Sequence, residues 1–460
     1  QNLAENITVM LGKSPHQQQT ELFKNLLAHQ LNPQHPLYLL GQAIPWKKLE
    51  EAFAPLYGRV GLPSHPIRKM AALLMLKHLY HLSDERVVAH WETNPYFQYL
   101  AGEATFQWGQ PCAASDLVHF RHRLGEDGIE KLFALSVALH ADKVKKAKEV
   151  MVDTTVQEKN ITFPTDAKLY KKVITKCNRI AKSCGIELRQ SYRFVVQRLH
   201  YAQRYAHLAR HAQQAKKALK RLRTLAGRQV RDLQRQLVKL GQSESYAPMI
   251  QIMARIVSQQ RGDKNKVYSL HAPETSCIAK GKAHKKYEFG SKVSVASLPG
   301  SNVVVGIANF VGNPHDSKTL APTLDAVAQW TGRRYERVLV DRGYRGHGAL
   351  VDTEVIIPGK KAHVSAYAHR RHKQRCKRRS AIEAIIGHLK SDHRLGRNYL
   401  KGSLGDSTNA LLAGMGFNLM LLVREMAGNF LAILFWDFCP LGFRQKLYPD
   451  TNSLLPRFIC

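Results

Sequence analysis

The sequence predicts an α/β domain around a mixed sheet, interrupted by a long basic helical insertion and preceded by an all-helical region. Three observations predict it. Two β-branched, apolar runs, Glu149 to Val156 interrupted by Asp153 and Val338 to Asp341 ended by Asp341, read as buried strands. Between them, helical spacing gives way to alternating strand segments and then to a further helix, the order expected of layered α/β packing. Ahead of them, roughly residues 1–145 carry only helical signals.

In the first region, Pro66 to Tyr80 places Ile67, Met70, Leu73, Leu74, Lys77 and Leu79 on one helix, with Pro66 suited to its first turn. Ser83 or Asp84 can cap the next helix, which Asn94-Pro95 stops. Ser115 is expected to cap a third, Asp116 to Leu124, whose Arg121, His122 and Arg123 are placed to meet phosphates. Short helices ending in a basic one suit a helix-turn-helix-like DNA reader, and equally an ordinary helical bundle with a basic surface.

After the first strand, about residues 168–262 form the insertion. Between Glu187 and Leu240 there are 14 Lys or Arg against two acids, Glu187 and Asp232. Apolar residues at Leu188, Tyr192, Val195 and Leu199, then Leu219, Leu222, Ala226, Val230, Leu233 and Leu237, specify long amphipathic helices. A solvated hairpin would need no such charge excess, so a DNA-tracking arm is the better reading. Strands follow at Tyr287 to Val295 and Val303 to Ile307, then a helix from Asp316 to Trp330, the strand ending at Asp341, another at Val355 to Pro358, and a basic helical stretch, 369–390. The organisation is a helical region over 1–145, the α/β domain over 146–405, and an apolar helical segment over 406–460 that completes the core or an interface.

Lys plus Arg number 69 against 35 Asp plus Glu, a formal net charge of +34. Self-repulsion of that size calls for a polyanionic partner, and nucleic acid gains affinity through counterion release. The seven cysteines are odd in number, few for the length and scattered, which fits a reducing cytosol better than a disulfide framework. Cys177 and Cys184 lack a matching pair for a zinc knuckle. Gln1 to Asn6 show no signal pattern, and the longest wholly apolar stretch near the end, Phe430 to Trp436, falls short of the ~20 residues of a membrane span. A soluble, intracellular protein with no membrane association is expected.

Phosphoryl transfer on DNA needs an activated nucleophile, charge stabilisation at phosphorus and a stabilised leaving oxygen. Two Mg²⁺ ions roughly 3.5–4 Å apart supply all three and demand oxygen ligands. Asp153 and Asp341, isolated acids expected at strand ends, are costly there without a compensating partner. Either could instead cap a turn, but two in parallel contexts favour metal ligation. Glu383 lies beside the stripe Ile382, Ile385, Ile386 and Leu389, which would pack its helix on the sheet. Arg379 lies one turn before it and Lys390 two turns after, with Arg378 adjacent. That suits a site holding metal and backbone phosphates; a surface ion-pair ladder is the competing reading.

These segments resemble the DDE transposases of bacterial insertion sequences, in the group around insertion sequences 4, 5 and 1182. Their signature near the last acid is Tyr, two residues, Arg, three residues, Glu, six residues, Lys. Arg379, Glu383 and Lys390 stand at those spacings, with Cys376 where the Tyr belongs. Val152 to Val156, Val340 to Tyr344, Asn313 to Leu320 and Pro66 to Leu124 also resemble that group. The resemblance implies an RNase H-like core and catalytic, metal-holding roles for Asp153, Asp341 and Glu383. It implies two Mg²⁺ ions, with Mn²⁺ as a substitute. Phosphate contacts would come from Arg379, Lys390, Arg378, Arg121 and Arg123; His315 and Asp316, near the sheet edge, are weaker candidates for the site. The expected partners are double-stranded DNA, both terminal inverted repeats and target, and a second copy in a homodimer on DNA. The expected place is the bacterial cytoplasm, associated with the nucleoid. The alternatives are a hydrolysis-only nuclease of the same fold and a basic nucleic-acid-binding protein without activity. The intact acid trio argues against an inactive relic.

Overall fold

The computed structural model describes residues 25–58, 63–279, 286–346, 348, 353–359 and 365–438, with side chains described up to residue 428. Residues 1–24 of the expected helical region and 439–460 of the expected C-terminal segment lie outside them. The chain opens with helices α1 (Leu27–Gln30), α2 (Pro36–Ala43), α3 (Trp46–Phe53), α4 (Ile67–Leu79), α5 (Asp84–Thr93), α6 (Pro95–Leu100), α7 (Ala114–Ala138) and α8 (Ala141–Lys146). Strand β1 (Glu149–Lys159) is followed by α9 (Asp166–Ser183), α10 (Arg193–Ala202), α11 (Ala209–Lys239) and α12 (Ser243–Ser258). Then come β2 (Ser276–Ala279), β3 (Tyr287–Ser297), β4 (Val304–Phe310), α13 (Asp316–Thr331), β5 (Arg337–Leu339) and β6 (Glu354–Ile356). Helices α14 (Ala366–Arg379) and α15 (Ala381–Ser391), strand β7 (Arg397–Asn398) and helix α16 (Gly402–Phe438) complete it.

Local chemistry sets several boundaries. Ser83 Oγ accepts from the Arg86 N–H at 3.2 Å, capping α5 as expected. Asn94 does more than stop that helix, since its side chain accepts from Tyr96 and Phe97 and starts α6 with Pro95 in its first turn. The third expected helix differs. It begins at Ala114, with Asp116 accepting from the Ala113 N–H at 2.9 Å, so Ser115 lies inside the helix rather than capping it. Nor does it end at Leu124. Gly125 adopts φ 61°, which a glycine takes without strain, and beyond this kink Ile129, Leu132, Phe133 and Val137 stay buried.

The sheet is mixed, in the order β2-β3-β1-β5-β6, with β4 also paired to β3 and β7 to the end of β1. β3 runs antiparallel to β1, whereas β5 runs parallel to it. One hydrophobic core extends from the N-terminal helices through the sheet to α16, including Phe53, Leu74, Trp91, Phe133, Val152, Val295, Leu339, Ile382 and Leu412. A separate core joins α9 to α12 through Tyr170, Val173, Leu222, Leu233, Met253 and Ile256, so the helices between β1 and β2 fold on their own apolar seam.

The segment Gly402–Gly428 is long and apolar enough to cross a membrane by length and composition, and 61% of its most apolar window is buried inside the protein. It packs on α4, α7 and β4. Gly416 lets it approach α4 closely, because a Cβ there would lie 2.7 Å from the His78 carbonyl. The buried Asn418 side chain accepts from the Val304 N–H at 2.9 Å and donates to the Val304 carbonyl at 2.8 Å, while its own carbonyl meets His140 Nε2 at 2.9 Å.

Candidate active site

The register of β1 against β5 builds the centre of the site. Glu149 pairs with Arg337 and Met151 with Leu339. Two residues further along each chain stand Asp153 and Asp341, so the parallel register carries both acids to neighbouring positions. Asp341 follows the end of β5, and its carboxylate accepts from the Gly343 N–H at 2.8 Å, capping a short 3-10 turn, Arg342–Tyr344. Asp153 is not at a strand end, as the sequence suggested. β1 continues to Lys159 because β3 pairs along it as far as Glu158, which leaves Asp153 in mid-strand opposite Val295.

The basic stretch 369–390 is two helices that meet at Ser380. Ile382, Ile385 and Leu389 are buried, with Ile386 packed against the same core, so the expected apolar stripe seats α15. Arg379 links the acids. Its Nη1 donates to Asp153 Oδ2 at 3.1 Å, and its Nη2 lies 3.5 Å from Glu383 Oε1. The Arg379 side chain is 15% exposed and that of Glu383 is 68% exposed, so the pair is no simple surface ladder. One turn earlier, Arg375 meets Glu149 Oε1 at 2.8 Å, and Glu149 is also held by Arg337 at 2.8 Å. Lys390 is half-buried on α15 and Arg378 is exposed at the end of α14. Cys376, in the place of the expected Tyr, lies 3.6 Å from His372 Nε2.

A further group, of which the sequence marked only Asp316 as a weaker candidate, lies beside these acids. Alternation along β1 sends Thr154 to the face opposite Asp153, where its hydroxyl donates to Asp316 Oδ1 at 2.8 Å. Lys292, buried on β3, donates to the same oxygen at 3.0 Å and to the Pro314 carbonyl at 2.6 Å. Gly343 sits between two carboxylates, since a Cβ there would lie 3.1 Å from Asp341 Oδ1 and 3.2 Å from Asp316 Oδ2. The fully buried Tyr344 follows, and burial, then the charges of Asp153 and Asp316, raise its hydroxyl pKa and keep it protonated. Besides Asp316, the sequence signal for this group was the single lysine in the alternating run of β3. His315 caps α13 instead, its Nδ1 lying 2.8 Å from Ser317 Oγ.

The donor set suits a hard divalent cation, being all carboxylate oxygen on two adjacent strands and one facing helix. Among the described residues no three Asp, Glu, His or Cys side chains already form a metal cage; the Arg379 guanidinium stands between Asp153 and Glu383.

In the helical region, Arg121 does not face a phosphate as expected. It is buried, and its two terminal nitrogens grip the Asp84 carboxylate at 2.8 and 2.9 Å, alongside Lys77 at 2.8 Å. A guanidinium so enclosed ties α7 to α5. Arg123 is exposed and lies over the Tyr57 ring, 4.4 Å from its centroid.

Comparison with known proteins finds two family matches. Residues 25–123 match the Transposase domain (DUF772), and residues 266–419 match the Transposase DDE domain, which spans Asp341 and Glu383. Asp153 lies between the two matches. An uncharacterised protein of Rhizobium meliloti, ORF8 in the nfe locus, is 42% identical over 203 residues, which is 43% of this chain and 98% of that protein. No solved structure matches. Both matched domains are transposase domains. The chain belongs to the DDE transposases of insertion sequences. That membership implies an RNase H-like core, an enzyme acting on DNA and a chemistry dependent on divalent metal ions.

Proposed function

We propose that the protein binds the terminal inverted repeats of its insertion sequence, cuts at their ends and joins them to target DNA. The observation that supports it most is the β1–β5 register, which sets Asp341 beside Asp153, with Glu383 joined to Asp153 through Arg379. Asp153, Asp341 and Glu383 are the residues to hold Mg²⁺, two ions with Mn²⁺ as a substitute. Such ions, when bound, favour attack at phosphorus and stabilise the leaving oxygen.

The protein's own groups do the rest. Water attacks the phosphorus at the element's end, the P–O3′ bond breaks and a 3′-hydroxyl is freed. That hydroxyl then attacks a target phosphodiester, forming a new P–O bond as the target's own 3′-oxygen departs. Arg379 is poised to leave its carboxylates for a phosphate, a geometry its planar fork favours. Lys390 and Arg378 extend the cationic flank, and Arg123 adds a contact from the helical region. The basic helices between β1 and β2 serve as an arm along the backbone. Residues 1–145 act as the end reader and 146–405 as the catalytic domain, and the apolar segment over 406–460 completes the core or an interface. The active form is a homodimer on DNA in the bacterial cytoplasm, without membrane attachment.

A strand-transfer assay with a 3′-labelled repeat end tests this. Joined product of higher mass is expected in Mg²⁺. Hydrolysis alone would favour a nuclease, and binding with neither reaction a nucleic-acid-binding protein.

A further inference from the structure

We propose that one face of α9 is a second phosphodiester-binding groove, separate from the carboxylate site, that grips duplex DNA away from the cleaved bond. The proposal rests on the reading of the protein as a transposase acting on DNA. Lys168, Lys171, Lys172, Lys176 and Arg179, with His200 from α10, line a cavity of about 490 Å³. Offsets of three, four, eight and eleven residues put the five cations on one side of the helix.

The groove lining contains no carboxylate, and among the described residues none of the five cations forms an ion pair. Lys168 Nζ donates to the Phe163 carbonyl at 3.1 Å and Lys172 Nζ to Thr162 Oγ1 at 3.5 Å. Both contacts are to neutral oxygens. The four lysines are half-buried rather than fanned into solvent. Lys168, Lys172 and Lys176 repeat at i, i+4, a like-charge spacing that destabilises a helix. Burial first, then Lys171 and Lys168, lower the His200 pKa, so its ring adds no further charge near neutrality.

Five uncompensated cations in a concave row call for an anion whose charges repeat. From Lys168 to Arg179 the helix rises about 16 Å, roughly five nucleotides of rise along one strand. A lone phosphate would leave most of the row unpaired. The groove also has a defined place. β1 runs six residues from Asp153 to its end at Lys159, about 20 Å, and Thr162 of the groove follows directly. A duplex lying on both sites would meet α9 about six base pairs from the reacting phosphate.

The test uses the full chain with Lys168→Gln, Lys172→Gln, Lys176→Gln and Arg179→Gln combined, and a duplex carrying a repeat end. The slope of log K against log salt should become shallower by roughly 3 to 4, near 0.9 per lost phosphate contact. Phosphate-ethylation interference should lose its sensitive positions about six base pairs from the cleavage site and keep those at it. The single variant Arg179→Glu, on the exposed rim, should weaken binding in the same direction and guards against a folding defect in the combined variant. An unchanged slope, or sensitivity lost only at the cleaved phosphate, would overturn the groove. So would an equal loss of affinity for single-stranded RNA, which would make α9 a site for another nucleic acid. Asp153→Asn separates the two readings. It should abolish cleavage with the slope intact, whereas failure of the wild type to cut or join DNA would reject the transposase reading whatever α9 does.

Discussion

Arg379 and Asp153 form a 3.1 Å ion pair that ties the end of α14 to the middle of β1, and the same guanidinium reaches Glu383 at 3.5 Å. One cation thus stands against two of the three acids assigned to the reaction. If it clamps phosphate during transfer, Arg379→Gln and Lys390→Gln should each slow joining by a factor of roughly 10²–10³, the range for a lost electrostatic stabiliser. Arg379→Lys keeps the charge without the fork and should fall between Gln and wild type, with thermal stability unchanged. Wild-type joining in both Gln variants would return α15 to a structural role.

The acids themselves should behave as a unit. Asp153→Ala, Asp341→Ala and Glu383→Ala are each expected to abolish cleavage while leaving melting temperature and end binding close to wild type. Near wild-type cleavage by any one of them in Mg²⁺ would remove that residue from the site.

Asp316 offers a third measurement. Asp316→Asn leaves the buried Lys292 ammonium with the Pro314 carbonyl in place of its carboxylate, and should cost about 1–3 kcal/mol of stability. Adding Lys292→Met should recover most of that loss. Because the Asp316 carboxylate borders Gly343 in the Asp341 turn, the joining rate of the double variant should stay at least about tenfold low. Recovery of rate together with stability would leave Asp316 as scaffolding alone.

The cluster of Lys77, Asp84 and Arg121 makes stability depend on pH. Burial, then Arg121, pull Lys77 from 10.5 to about 8. Between those values the unfolded chain binds more protons than the folded one, so stability rises with pH across that window. Unfolding free energies of wild type and Lys77→Met at pH 7 and pH 10 should show the wild type gaining up to about 3 kcal/mol relative to the variant. Arg121→Ala should destabilise by about 3 kcal/mol, as a broken buried pair does, with the salt dependence of DNA binding unchanged. A shallower salt slope would restore Arg121 to the DNA surface.

The strands bearing Asp153 and Asp341 were legible because β-branched runs interrupted by one acid are rare outside buried sheet. Their pairing was not, since the partners are 188 residues apart and nothing local encodes a parallel register. The apolar stripe of α15 was legible from its period. The break at Ser380 was not, because strong helix formers flank it on both sides. Arg121 misled for a related reason. Helical spacing says which residues share a face, but not that Asp84, 37 positions earlier, waits there. Lys292 and Asp316 were invisible as a pair, since Asp316 read only as a weaker candidate near the sheet edge and its link to Lys292 exists only once β3 and α13 are brought together.

Helix α16 gives the chain a late point of commitment. Leu411, Leu412, Met415 and Leu419 fill the core that α4 and α7 began some 300 residues earlier in synthesis, and Gly416 rests on the backbone of His78. Until that helix leaves the ribosome, the N-terminal helices and the sheet present an open apolar face, the kind of surface that chaperones bind and that aggregates otherwise. A copy of the element truncated before α16 would therefore yield a product for degradation, rather than a stable fragment able to occupy DNA ends in competition with the intact enzyme.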